Sequence, residues 1–145
     1  MLTSLPIRVR ARTGFRLAIS MIVVLSMTAC GDSQPDVVGS WQLVSGTQGG
    51  NELQLEAGNP LTIVFDSRLV TGHGGCNSFN GSYTLDGSSL TIGPIASTQM
   101  ACESLDLETA YLTGLSDVDT ASSDGEQLTL TGPNTEYLYE ATPGS

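Results

Sequence analysis

The chain of 145 residues has no lysine, one tryptophan, one histidine and three cysteines. Its five basic residues are all arginines, and Arg8, Arg10, Arg12 and Arg16 precede residue 17. All fifteen acids lie after Cys30, where Arg68 alone opposes them, so residues 30–145 carry a formal charge of −14. Such a surface is repelled by nucleic-acid phosphates and by anionic headgroups, which argues against both as partners. The acids are scattered and form no block, the pattern of a solvated face, and they leave room for cations or a basic protein partner.

Long apolar runs are also missing. The longest uncharged apolar stretch, "LAISMIVVLSM" at Leu17 to Met27, has eleven residues, whereas a membrane-spanning helix needs about twenty. A basic region, a short apolar core and then small residues make a secretory signal, which is set aside from fold reasoning. "SMTAC", Ser26 to Cys30, resembles the lipobox of bacterial lipoproteins, whose cysteine is lipidated and becomes N-terminal after cleavage. Thr28 and Ala29 fit the pattern, and Met27 stands where leucine is usual. The alternative is ordinary secretory cleavage nearby, with Cys30 left as a thiol. Acyl chains contribute about 0.8 kcal/mol per buried methylene, and two or more hold a protein stably at a membrane that it does not span.

The expected organisation is a lipoprotein signal over 1–29, a lipidated cysteine and linker over 30–38, one β domain over 39–140 and a frayed tail over 141–145. The linker reading rests on the polar, proline-containing "GDSQPDVV". The length suffices for one modest core.

Within the domain the pattern has period two. Trp41 and Leu43 share a face, as do Leu61, Ile63 and Phe65, Tyr83 and Leu85, Leu90 and Ile92, and Leu128 and Leu130. In "EYLYE", Tyr137 and Tyr139 either share the core face or straddle a core-facing Leu138. Alternation of this kind marks half-buried antiparallel strands. Turn signals separate them at 66–68, 86–88, 124–126 and 132–134, and Leu85 to Leu90 is the clearest hairpin. One segment departs from this pattern. "SLDLETAYLTGLSD", Ser104 to Asp117, places Leu107, Ala110, Tyr111 and Leu115 at helical spacing, with Ser104 able to cap its start and Asp106 and Glu108 complementing the helix dipole. The expected fold is mainly β: a small antiparallel β-barrel-like domain of about seven or eight strands with one amphipathic helix laid on it. No repeat indicates a solenoid or propeller.

At this point the sequence resembles the META (HslJ-like) domain family. The resemblance rests on Trp41 in "GSWQLV", Gly75-Cys76-Asn77, Gly81-Ser82-Tyr83 and Thr98-Gln99-Met100-Ala101-Cys102 before the helix, and it covers roughly 38–140. It implies a compact β-rich fold found in envelope lipoproteins, with loose links to stress tolerance, and it implies no established catalytic activity.

An exported protein matures where thiols oxidise, and three cysteines divide into Cys30 for lipid and Cys76 with Cys102 as a disulfide. In the chain-entropy model that bridge stabilises by roughly 3–4 kcal/mol, a large share of the about 5–15 kcal/mol available to a small domain. An enzyme reading would need His73 as base and Cys76 as nucleophile, with Asn77 or Asn80 orienting the base. Three residues apart on an extended strand, His73 and Cys76 point to opposite faces, and a bridged cysteine cannot attack. A zinc site from His73, Cys76 and Cys102 lacks a fourth ligand and the usual paired spacing. "GHGG" at 72–75 lacks the ending of a phosphate loop and precedes strands where that loop needs a helix. Its glycines suit a bulge or close backbone approach; Asn77, Asn80 and Gly81 suit turn positions that visit positive φ.

These readings lead to a non-catalytic envelope lipoprotein that acts by contact. Its partners are a membrane, through Cys30, and an envelope protein; no cofactor, metal or nucleic acid is expected, and no small molecule is identified. The competing reading is a barrel that carries a small ligand or peptide in its mouth. The intact mass of protein purified from its own membranes tests the covalent expectations. It should begin at Cys30 plus acyl groups, with no alkylation label before reduction and two labels afterwards.

Overall fold

The computed structural model of the protein describes residues 33–143. Ten strands and one helix follow in the order β1 (Gly39–Gln48), β2 (Asn51–Glu52), β3 (Thr62–Asp66), β4 (Leu69–His73), β5 (Ser78–Asp86), β6 (Ser89–Ile92), β7 (Ala96–Ser97), α1 (Leu105–Asp117), β8 (Thr120–Ser123), β9 (Gln127–Gly132) and β10 (Thr135–Ala141). Eight of them close a ring in the order β1-β3-β4-β5-β6-β8-β9-β10, with β10 returning to β1. All the pairings are antiparallel. The fold is therefore a closed eight-stranded barrel with one helix, β2 lying outside the ring on β1 and β7 on β5.

The ring is unevenly stitched. Along β1, seven residues pair with β10, with a bulge between Leu43 and Ser45. Between β6 and β8 the ladder is a single pair, Ser89 with Thr120, flanked by backbone bonds from Leu90 N–H to the Asp119 carbonyl and from Ala121 N–H to the Ser88 carbonyl, both 2.9 Å. Closure leaves the ring no free edge to template association with another chain.

The short hairpins follow from local chemistry. Ser67 and Arg68 connect β3 to β4, with Ser67 at φ 53°. Gly87 takes φ 57° between Asp86 and Ser89, and Pro133-Asn134 joins β9 to β10. Before β9 the Asp124 carboxylate accepts the Gln127 and Glu126 N–H groups at 2.7 and 2.9 Å, and these bonds, that to Gln127 foremost, hold it below the usual carboxylate range.

Period-two alternation fills the interior. Trp41, Leu43, Ile63, Phe65, Val70, Phe79, Tyr83, Leu90, Leu128 and Leu130 are buried on the inner face. Tyr137 and Tyr139 both point inward and Leu138 is half-buried, which resolves the alternatives for "EYLYE". Rings pack edge to face, with 4.9 Å between the Phe65 and Tyr83 centroids and 6.0 Å between Phe79 and Tyr111. Val37, in the stretch read as linker, is also buried, and its carbonyl accepts the Trp41 indole N–H at 2.8 Å.

The helix lies across the barrel on a face slightly different from the expected stripe. Glu108, Tyr111, Gly114 and Leu115 are buried, whereas Leu107 and Ala110 are half-buried. Ser104 does not cap it with its side chain; that hydroxyl turns instead to Glu56 and Asn59. Burial raises the Tyr111, Tyr137 and Tyr139 phenols well above the ordinary tyrosine value, so all three stay neutral. Their hydroxyls find partners in the core: Tyr111 and Tyr139 meet at 3.1 Å, and Tyr137 donates to the Tyr111 carbonyl at 3.1 Å.

Gly114 makes this approach possible, because a Cβ there would collide with the Tyr137 hydroxyl and ring. In an open helix, Gly→Ala gains about 1 kcal/mol from propensity. Here overpacking opposes that gain and wins, at a cost of about 1–3 kcal/mol. Gly114→Ala should therefore lower the thermal unfolding midpoint by several degrees in a calorimetric scan.

Candidate functional site

The turn between β4 and β5 carries most of the residues singled out from sequence. It is a tight loop, Gly74 to Asn77, closed by the Gly74 N–H on the Asn77 carbonyl at 2.8 Å. Cys76 thus sits in a turn and not on a strand. A disulfide joins it to Cys102, with the two Cα atoms 6.1 Å apart. Cys76 is buried and Cys102 exposed, so the bridge pins a surface segment to the barrel. His73 ends β4, half-buried, and its Nδ1 accepts the Gly75 N–H at 3.2 Å. The bridged Cys76 has no thiolate to offer a neighbouring base. Among the described residues no cluster of three or more His, Cys, Asp or Glu side chains has metal-binding geometry. Cys30 lies outside the described residues.

The side chain that organises this turn is Glu108, which sequence reasoning assigned to the helix dipole. It is 3% exposed. Its Oε2 accepts the Asn77 N–H at 2.5 Å and the Cys76 N–H at 3.2 Å, and its Oε1 accepts the Asn77 Nδ2 at 2.8 Å. Asn77, 1% exposed, then reaches the other way. Its Nδ2 donates to the Met100 carbonyl at 3.1 Å, while its Oδ1 accepts the Met100 N–H at 2.7 Å and the Thr98 hydroxyl at 2.9 Å. One buried carboxylate and one buried amide therefore lock three segments together: α1, the turn and residues 98–100. A Cβ on Gly74 would press on the Glu108 side chain at 2.8 Å, so the glycine admits the carboxylate.

Asn77 and Asn80 do not visit positive φ; among the described non-glycine residues only Ser67 does. Asn77 is spent on the lock, and Asn80 is an exposed residue of β5 paired with Ala96. The sequence did carry a signal for Glu108. Glu108, Tyr111 and Leu115 stand at three- and seven-residue spacing, so an acid occupies the apolar stripe of the helix.

A smaller polar group flanks the lock. The Ser104 hydroxyl donates to Glu56 Oε2 at 3.0 Å, and Asn59 Nδ2 donates to the Ser104 hydroxyl at 3.1 Å and also to the Gly75 carbonyl. On the other side of the lock, an open groove of about 470 Å³ runs between α1 and the segment from Ile95 to Ala101. Exposed Met100 and Leu105 stand on its rim.

The META domain family profile matches residues 23–142. The chain belongs to the META domain family. Three solved structures resemble this META-domain chain. A protein from Burkholderia xenovorans, solved by NMR, is 26% identical, with a TM-score of 0.63 over 73% of this chain and 83% of that one. A second NMR structure, 23% identical, has a TM-score of 0.55 over 75% of this chain and 95% of its own. A crystal structure of a DUF4847 family protein from Bacteroides vulgatus, 15% identical, has a TM-score of 0.53 over 74% and 94% of the two chains. The last two share the fold. No protein of curated function matches the chain.

In this META domain the lock should be sensitive to a one-atom change. Glu108→Gln replaces a carboxylate oxygen with an NH₂ group facing the Asn77 amide, or withdraws the acceptor from the turn. Hydrogen bonds to a charged group contribute about 1.5–3 kcal/mol each. The variant should lose about that much stability in urea unfolding, and hydrogen exchange should rise at Cys76 and Asn77.

Proposed function

We propose that this META-domain protein is a non-catalytic lipoprotein of the bacterial cell envelope, tethered through acyl chains on Cys30, that supports envelope stability or stress tolerance through protein contacts. The observation that carries the reading is how the buried polar chemistry is used. The Glu108 carboxylate and the Asn77 amide are committed to backbone and to each other, and Cys76 is committed to Cys102.

The competing reading, a carrier with its ligand inside the barrel, has less to support it. The inner face is filled by the Tyr111, Tyr137 and Tyr139 cluster with Phe65, Phe79 and Leu130, as is usual for barrels of eight strands. Recognition then belongs on the outside of the barrel. Thr142 N–H bonds to the Ser40 carbonyl and Ala141 N–H to the Glu126 carbonyl, so both ends of the described chain meet at one end of the barrel. The bridged turn lies at the far end of β4 and β5. Cys30 precedes Val37 by seven residues, a span of about 25 Å at full extension. A tether of that length leaves the bridged end free to meet other envelope proteins.

A deletion strain tests this function. Loss of the protein should sensitise cells to heat, detergent and envelope-directed antibiotics. Wild-type protein should restore resistance, and Cys30→Ala, exported without an anchor, should restore it poorly. Unaltered envelope integrity in the deletion strain under all three challenges would refute the role.

A further inference from the structure

We propose that the groove between β7 and α1 receives an extended, basic segment of a partner envelope protein, which adds as a strand to the free edge of β7. The inference rests on the contact role above and names the chemistry of the contact.

The first observation is the free edge. β7 pairs on one side only, with Phe79 opposite Ser97 and Asn80 opposite Ala96. The Thr98 N–H continues this pairing onto the Ser78 carbonyl at 3.0 Å. Strand hydrogen bonds alternate in direction. If Thr98 points its backbone groups toward β5, Ser97 points its N–H and carbonyl the other way, on the side that borders the groove. The main ring is closed, but this two-residue strand lies outside it and is available for strand addition.

Rigidity is the second observation. The rim that would meet the incoming strand is held by Asn77, through Thr98 and both backbone groups of Met100, and by the Cys76–Cys102 bridge. An exposed segment fastened at so many points loses little entropy on binding. The side chains on it remain open: Met100 is 62% exposed and Leu105 41%. Ile95 and Leu112, both half-buried, supply apolar walls for alternate side chains of an added strand.

Charge decides the partner. No lysine or arginine lines the groove, and Glu108 is part of its wall. Glu103 and Asp106, both exposed, stand within two residues along the chain of Leu105, which lines it. Arg68, the one cation that follows the signal region, is in the β3–β4 turn. An acidic or neutral segment gains nothing from this field, whereas an arginine- or lysine-bearing segment is both steered and held by it. A second copy of this chain, with its own −14, is repelled.

The test uses the full protein purified from its membranes in detergent and short fluorescein-labelled peptides read by anisotropy. One peptide alternates arginine with valine, a second alternates glutamate with valine, and a third is the arginine peptide N-methylated at alternate amides. The arginine peptide should bind. The glutamate and N-methylated peptides should not, and binding should fade as ionic strength approaches about 1 M, where the screening length is about 3 Å. Ser97→Pro removes the outward N–H while sparing the β5 ladder, and proline is tolerated at such an edge position. It should weaken binding roughly tenfold, the scale of a lost hydrogen bond at an interface. Thr109→Arg, on the exposed helical wall, should weaken it by a similar factor, with an unchanged melting temperature showing that the fold is intact. Leu69→Ala, in β4 at the other end of the barrel, should leave binding unchanged. The proposal fails if the glutamate peptide binds equally well, if neither groove variant changes affinity, or if peptide binding competes with dimerisation of the protein, which would assign the groove to a second copy. If the arginine peptide does not bind while the deletion strain is still sensitised, the groove assignment fails and the envelope role stands.

Discussion

The structure depends on a buried carboxylate. Glu108 arrives from the helix and accepts the backbone of the β4–β5 turn, and Asn77 passes the constraint on to residues 98–100. A charge buried without partners is prohibitively costly, whereas one with three donors is a strong tie. The arrangement binds together elements whose other contacts are sparse. The turn has no core residue of its own beyond Cys76, and the segment from Thr98 to Cys102 is exposed throughout. Without the carboxylate those two stretches would still be joined by Asn77 and the disulfide, but neither would be tied through the turn to α1.

The disulfide and the polar lock act on the same place by different physics. A crosslink restricts the unfolded chain and specifies little about local geometry in the fold. Hydrogen bonds accepted by both oxygens of Glu108, and those made by both polar atoms of Asn77, specify direction, and so determine where the 98–102 rim stands against α1. Together they turn an exposed loop into a rigid wall. Thr135 makes a useful contrast: its buried hydroxyl is the one buried side-chain polar atom among the described residues with no partner. Polar satisfaction is concentrated where the helix meets the turn.

Helix and barrel meet through rings. Gly114 lets Tyr137 come against the helix backbone, and the Tyr111 and Tyr139 hydroxyls meet beneath it. These rings occupy the barrel interior together with the aliphatic core. Acids far outnumber the single arginine, Arg68, among the described residues, and the most exposed large apolar side chain, Met100, stands on the wall made rigid by the lock. The parts of the protein that fix its shape thus also fix the position of its most exposed apolar side chain.

Much of this was legible in the sequence. Period-two alternation identified the inward faces of β1, β3, β6 and β9 because strand side chains alternate whatever the neighbour is. Turn residues marked the hairpins because Gly87 and the Asp124 carboxylate act locally. The Gly-Cys-Asn and Thr-x-Met-x-Cys segments pointed to the META family, whose profile spans residues 23–142. What the sequence could not decide was where polar side chains would be spent. Ser104 was available to cap the helix and Asn77 to shape a turn, but Glu56, Asn59, Met100 and Glu108, brought near by the closing of the barrel, offered them other partners. Local pattern determined which residues form strands, turns and helix, because those preferences belong to neighbours along the chain. Tertiary structure alone decided that Glu108 is an internal anchor, because the donors that make its burial tolerable come from residues more than thirty positions away.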